Sequence, residues 1–207
     1  NGIFTKEEDV KKYGGMIYRE SERLLYLIND IIRLSQIEEQ EHVLSDKIDL
    51  LKTAHDVEEI LRHKADNREV TMTVEGEPVR IYGNQSYITE LFLNLMDNAI
   101  KYNREGGSLK VTVGAEDGKA VAVFSDTGIG ISDEHQSRIF ERFYRVDKSR
   151  SKQTGGTGLG LSIVKHIVAY HSGEIQLESE LEKGTTITVK LPFNEPETQR
   201  AEETAVT

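Results

Sequence analysis

The chain contains no cysteine. That excludes disulfides and thiolate metal sites, and it allows cytosolic residence without proving it. No apolar run approaches the ~20 residues that a membrane span requires. No signal peptide is visible either, since residue 1 is not methionine and the opening stretch is polar. Such a start is expected of a piece excised from something longer. Positive charge is in deficit: the formal net charge is −10. This argues against non-specific nucleic-acid binding, although a local basic patch can override a total. With 207 residues, there is chain enough for one domain with a sizeable core plus an appendage.

The first 42 residues stand apart from the rest. Thr5 and Glu8 form a capping box that opens a helix. Val10, Ile17, Leu24 and Ile31 then recur every seven residues, joined by Tyr13, Leu27, Ile28, Ile32 and Leu34. An apolar stripe this wide wants a partner helix, as in a bundle or coiled coil. Gly14 and Gly15 each weaken a helix by about 1 kcal/mol relative to alanine, so a kink or break is expected there.

After Ser45 the pattern changes. The run 47–50 reads as a short strand and 51–65 as a helix. Residues 70–74 and 79–82 alternate like strands around a turn at Gly76 and Pro78. A strongly helical segment follows, then a strand pair, 109–113 and 121–124, around Asp117-Gly118. A second helix over 159–170 stops at Gly173, and a hairpin of 174–179 with 185–191 turns at Glu182-Lys-Gly184. Strands mixed with helices and closing on a hairpin imply a two-layer α/β sandwich. The polar, acidic residues 194–207 read as a frayed tail.

Two glycine clusters carry the chemistry. Asp126-Thr-Gly-Ile-Gly-Ile131 follows the apolar run 120–124, which reads as a buried strand. Gly155-Gly-Thr-Gly-Leu-Gly-Leu161 runs directly into the second helix, so its backbone N–H groups lie where unpaired donors and the helix dipole hold an anion. Between them, residues 138–152 carry six Lys/Arg against two acids, a cationic loop suited to be a lid. On the helical segment Glu90, Asn94, Asn98 and Lys101 recur every three or four residues and share one face, while Leu91, Leu95 and Ile100 can lie against a sheet. A carboxylate, two amides and an ammonium suit a magnesium–triphosphate, because magnesium takes oxygen ligands and lysine gives phosphate a point charge.

These segments resemble the N, G1, F and G2 boxes of bacterial sensor histidine kinases, within the GHKL ATPase superfamily. The N box is 94–102, the G1 box 126–130, the F box Ile139-Phe-Glu-Arg-Phe-Tyr-Arg145 and the G2 box 156–160. Residues 21–35 resemble the second helix of the family's dimerisation domain. The resemblance implies the GHKL ATP-binding fold, a mixed sheet plus helices, preceded by a long helix of a helical-bundle dimerisation domain. It divides the chain into a partial dimerisation helix at 1–42, a linker and first strand at 43–52, the catalytic domain at 53–193 and the tail at 194–207.

By resemblance, Asp126 accepts a hydrogen bond from the adenine amine while Gly128 and Gly130 shape the pocket floor; on its own, an Asp-Thr-Gly aspartate also satisfies its own turn. Gly156, Thr157, Gly158, Leu159 and Gly160 would cradle the phosphates. Asn98 and Asn94 would hold Mg2+, the alternative being helix-surface polarity. Glu90 would orient or deprotonate the attacking imidazole or hold a magnesium water, the alternative being a solvated carboxylate. Tyr102 would pack near adenine or ribose, with aromatic core packing an equal contender. Lys101, Arg145 and Arg150 would neutralise phosphate charge. Lys148, Arg142 and Lys152 would be solvated or dock the lid on the dimerisation helices, and Phe140 and Phe143 would anchor the lid's ends.

The resemblance further implies transfer of the ATP γ-phosphoryl group to a histidine, then to an aspartate of a response-regulator receiver domain. It implies a homodimer in the intact protein, through the kinase's own dimerisation domain, and a cytoplasmic catalytic portion anchored to a membrane only by segments outside this sequence. One element is missing: no His-Glu-Leu-Arg-Thr-Pro motif occurs. The histidines present, His42, His55, His63, His135, His166 and His171, read as structural or surface residues. The expectation is a chain that binds ATP and does not phosphorylate itself. The competing function is an ATP-driven conformational switch of the chaperone or topoisomerase kind, or a nucleotide-binding scaffold without kinase activity.

Overall fold

The computed structural model describes residues 7–39, 44–146 and 157–193. Helix α1 spans Glu7–Glu39. It runs through Gly14 and Gly15 without a break, because two glycines are a small fraction of the intrahelical bonding in 33 residues. Of its described stripe residues, Ile17, Leu24 and Ile31 are about half or more exposed.

The domain proper begins with β1 (Asp46–Asp49) and α2 (Leu50–Asp66), whose N-cap Asp49 accepts the Lys52 N–H at 3.1 Å. Next come β2 (Thr71–Gly76), β3 (Arg80–Gly83) and α3 (Gln85–Lys101), the last capped by Asn84 accepting from the Tyr87 N–H at 3.1 Å. The hairpin of β4 (Ser108–Glu116) and β5 (Lys119–Asp126) follows, then a single turn, α4 (Asp133–Gln136). Helix α5 (Gly160–Tyr170) and the hairpin of β6 (Glu174–Glu180) and β7 (Gly184–Pro192) complete the domain.

The five-stranded sheet has the order β2-β4-β5-β7-β6, with β2 parallel to β4 and every other pair antiparallel. Helices α2, α3 and α5 cover one face, giving the two-layer sandwich. Between the layers lie Leu91, Leu95 and Ile100 from α3, Ile163 and Ile167 from α5, and Val111, Phe124 and Val189 from the sheet. The alternation of β2 and β3 is real, but they do not pair across the Gly76–Pro78 turn. The turn instead leads between two sheets: β2 adds to β4, while β3 pairs antiparallel with β1, Ile81 opposite Ile48. Both isoleucines are fully buried, so joining β1 gives Ile81 an apolar partner.

Candidate nucleotide-binding site

Helix α3 presents its polar face to the start of α5. The Asn94 side-chain amide donates to the Glu90 carbonyl at 3.0 Å, which directs its Oδ1 away from its own helix. A Cβ placed on Gly160 would lie 2.7 Å from that Oδ1 and 4.0 Å from Asn98 Nδ2. The first residue of α5 therefore sits directly against both amides. No side chain caps α5 at Leu159, so its first-turn N–H groups face the asparagines without a capping oxygen. Leu159 itself is fully buried, and its N–H is taken by Thr157 Oγ1 at 3.2 Å. It is a buried anchor for the helix start.

The first glycine loop is clamped from three directions. Asp126 ends β5, and its Oδ1 accepts the Gly128 N–H at 2.8 Å. The Ile129 N–H donates to the Tyr102 carbonyl at 3.1 Å, and the Glu182 N–H to the Ile129 carbonyl at 2.8 Å. Gly130 has φ +67, and a Cβ there would stand 2.0 Å from the Glu180 carbonyl oxygen, so only glycine fits. Burial pushes the Asp126 carboxyl above its ordinary range, and the Gly128 and Thr185 N–H groups oppose that shift. A half-buried carboxylate with unspent acceptor capacity can take an amine hydrogen from a ring lying over the glycines. Tyr102 caps α3 and is 41% exposed, which does not fit the core-packing alternative.

Lys101 lies at the far end of the same helix. Its ammonium is 5.4 Å from the centre of the Tyr102 ring. Burial first, then Arg145, Lys64 and Arg68, push it down to about 8, against the pull of Asp97. Arg145 is thus the charged group that acts most strongly on Lys101. Arg150, Gly156, Lys148 and Lys152 lie outside the described residues. Gly158 and Phe143 meet through the Phe143 N–H donating to the Gly158 carbonyl at 3.0 Å. Phe143 is 56% exposed, so this position is held by its backbone bond and not by burial of the ring. Ile139 is the buried residue of the F box. Arg142 reaches His166 on α5 at 3.3 Å.

Four contributors went unforeseen. Lys64 of α2 and Arg68, just beyond that helix, join the cationic cluster, Arg68 donating to the Lys101 carbonyl at 3.1 Å. The β6–β7 turn backs the glycine loop from more than fifty residues away, a relationship no local pattern carries. Asp97 was legible in principle, as an acid one helical turn before Lys101.

A sheet-end carboxylate in a glycine loop tied to the end of the asparagine helix, with an uncapped helix start against that helix's amides, defines a nucleotide-binding domain of the two-layer ATPase type. Comparison with known proteins places it further. The family model of histidine kinase-, DNA gyrase B- and HSP90-like ATPases matches residues 83–195. The sensor-like histidine kinase SenX3 of Mycolicibacterium smegmatis is 36% identical over 94% of this chain and 52% of its own length. Among solved structures, ShkA in complex with AMPPNP superposes with TM-score 0.74 at 25% identity, over 92% of this chain and 40% of that one. ThkA in complex with the response regulator TrrA superposes with TM-score 0.72 at 25% identity, over 93% and 54%. The chain belongs to the histidine kinase-, DNA gyrase B- and HSP90-like ATPase family, as the ATP-binding catalytic domain of a sensor histidine kinase. It spans about half the length of SenX3.

Proposed function

We propose that this domain binds ATP with Mg2+ and passes the γ-phosphoryl group to a histidine on its kinase's dimerisation domain, for relay to a response regulator. The observation that carries the reading is the meeting of the uncapped α5 start with the Asn94 and Asn98 amides at Gly160. Triphosphate oxygens would lie on the α5 N–H groups, which favour negative charge. Asp126 would accept the adenine amine, with Gly128 and Gly130 beneath the ring and Tyr102 beside it.

The donor set also fits a hard cation. Among the described residues no three His, Asp or Glu side chains converge to hold a metal, so a magnesium ion here would be held by the Asn94 and Asn98 oxygens together with phosphate, as its preference for few protein ligands allows. When bound, magnesium supplies charge neutralisation to the phosphate oxygens. In the transfer itself an imidazole nitrogen forms the new P–N bond as the bond from the γ-phosphorus to the bridging oxygen breaks. ADP departs, and Glu90 takes the imidazole proton. Lys101, Arg145 and Arg150 hold the charge that develops.

Residues 1–42 would be the second helix of the dimerisation domain, pairing in a homodimer of the intact kinase. No described helix is long and apolar enough to cross a membrane; membrane anchoring and a cytoplasmic catalytic portion remain part of the proposal for the whole protein. None of the six histidines carries the acceptor motif. The chain by itself should therefore bind ATP in titration calorimetry and take up no acid-labile label from γ-labelled ATP. Absence of ATP binding would refute the proposal; acid-labile label would refute the assignment of the histidines.

A further inference from the structure

Asp97 stands one turn before Lys101 on α3. In an isolated helix an acid four residues ahead of a lysine pairs with it. Here the partner is different: among the described residues, Asp97 forms its ion pair across the helix–helix boundary with Lys64, near the end of α2. The Lys101 ammonium lies instead by the Tyr102 ring, where burial and the positive field of Arg145, Lys64 and Arg68 outweigh the opposing pull of Asp97.

We propose that Lys64 is a positioning residue for triphosphate binding, drawing Asp97 toward α2 so that its pull on the Lys101 ammonium is reduced and the ammonium stays available to phosphate. Arg68 supports the same arrangement by fixing the Lys101 carbonyl. Without Lys64, the Asp97 carboxylate swings along its own helix to Lys101 and occupies the charge that phosphate would use. The inference rests on the ATP-binding reading and names a residue that lies on α2, apart from the asparagine face, the glycine loops and the lid.

The test is calorimetric titration of the chain with Mg-ATP and, separately, with AMP, which lacks the distal phosphates. Lys64→Ala should weaken ATP binding by roughly three- to fivefold, the scale of a partly exposed charge pair, and leave AMP within about twofold. Lys64→Ala with Asp97→Asn should restore ATP binding. Lys64→Ala with Asp66→Asn restores the same charge balance from an exposed carboxylate on α2 and should not. The unfolding midpoint of Lys64→Ala should stay within about 2 °C of wild type, which separates positioning from folding. Equal losses for ATP and AMP, no loss at all, or rescue by both double variants would each overturn the inference. If the wild-type chain binds no ATP, the nucleotide reading falls and takes this one with it, an outcome distinct from normal ATP binding indifferent to Lys64.

Discussion

The Tyr102 carbonyl accepts the Ile129 N–H at 3.1 Å, and this bond makes the end of the asparagine helix and the first glycine loop one unit. Asp126, at the base of the loop, and Lys101, one residue before Tyr102, are thereby held in fixed register. One marks where an adenine amine would sit and the other where phosphate charge would sit. The spacing between the places proposed for the two ends of a nucleotide is set by the backbone.

Gly128 guards that register. A Cβ there would lie 2.5 Å from the Tyr102 carbonyl oxygen, and a backbone atom cannot step aside as a side chain can. Gly128→Ala should cost about 1–3 kcal/mol in urea unfolding and lower ATP affinity by more than tenfold. A variant that unfolds normally and still binds ATP would show that the loop position is not what sets the site.

Asp126→Asn should separate stability from function. Burial holds the native carboxyl above its ordinary range, so the ionised form is a cost that the folded state carries at neutral pH and sheds as pH falls through the raised value. The amide removes that cost, and the unfolding midpoint should rise or stay unchanged. ATP affinity should fall by about ten- to hundredfold, the scale of a lost hydrogen bond to a charged group.

Lys101 gives the alkaline limb of the pH profile. Its pKa is lowered from 10.5 to about 8, so the folded chain loses this proton well before the unfolded chain does. ATP affinity should decline as pH rises through about 8, and Lys101→Met should flatten that decline. For folding the sign is opposite. Between about 8 and 10.5 the unfolded chain binds more protons, so wild-type stability should rise with pH relative to Lys101→Met. Titrations from pH 7 to 10 with both proteins check the two slopes.

His171 is fully buried. Its Nδ1 lies 2.8 Å from the Ile167 carbonyl oxygen and its Nε2 3.1 Å from the Asn84 N–H. A donor on one side and an acceptor on the other fix the neutral tautomer with the proton on Nδ1. His171→Phe fills the space but leaves the Asn84 N–H, at the N-cap of α3, without its acceptor. A loss of about 1–3 kcal/mol in chemical unfolding is expected, with nucleotide affinity of the folded protein unchanged.

Much of the site was legible because its chemistry is written in short runs. The asparagine face follows from helical spacing, and both glycine loops adjoin elements whose periodicity is plain. Asp126, Asn94, Asn98 and Lys101 were read this way. The partners of β2 and β3 were not, because alternation tells which residues face the core and not which strand lies alongside. How Phe143 is held was not legible either, because the structure fixes that position by a backbone bond to Gly158, which no side-chain pattern records. Lys64 was invisible because its importance lies in a contact between helices thirty-three residues apart in sequence.

The central claim is phosphoryl transfer to histidine. It is tested most directly by incubating the chain with magnesium, γ-labelled ATP and the histidine-bearing dimerisation domain of the same kinase. The account predicts acid-labile, base-stable label on that domain, abolished by Asp126→Asn in this chain and by removal of the acceptor histidine. Clear ATP binding with no label on a folded acceptor domain would contradict it.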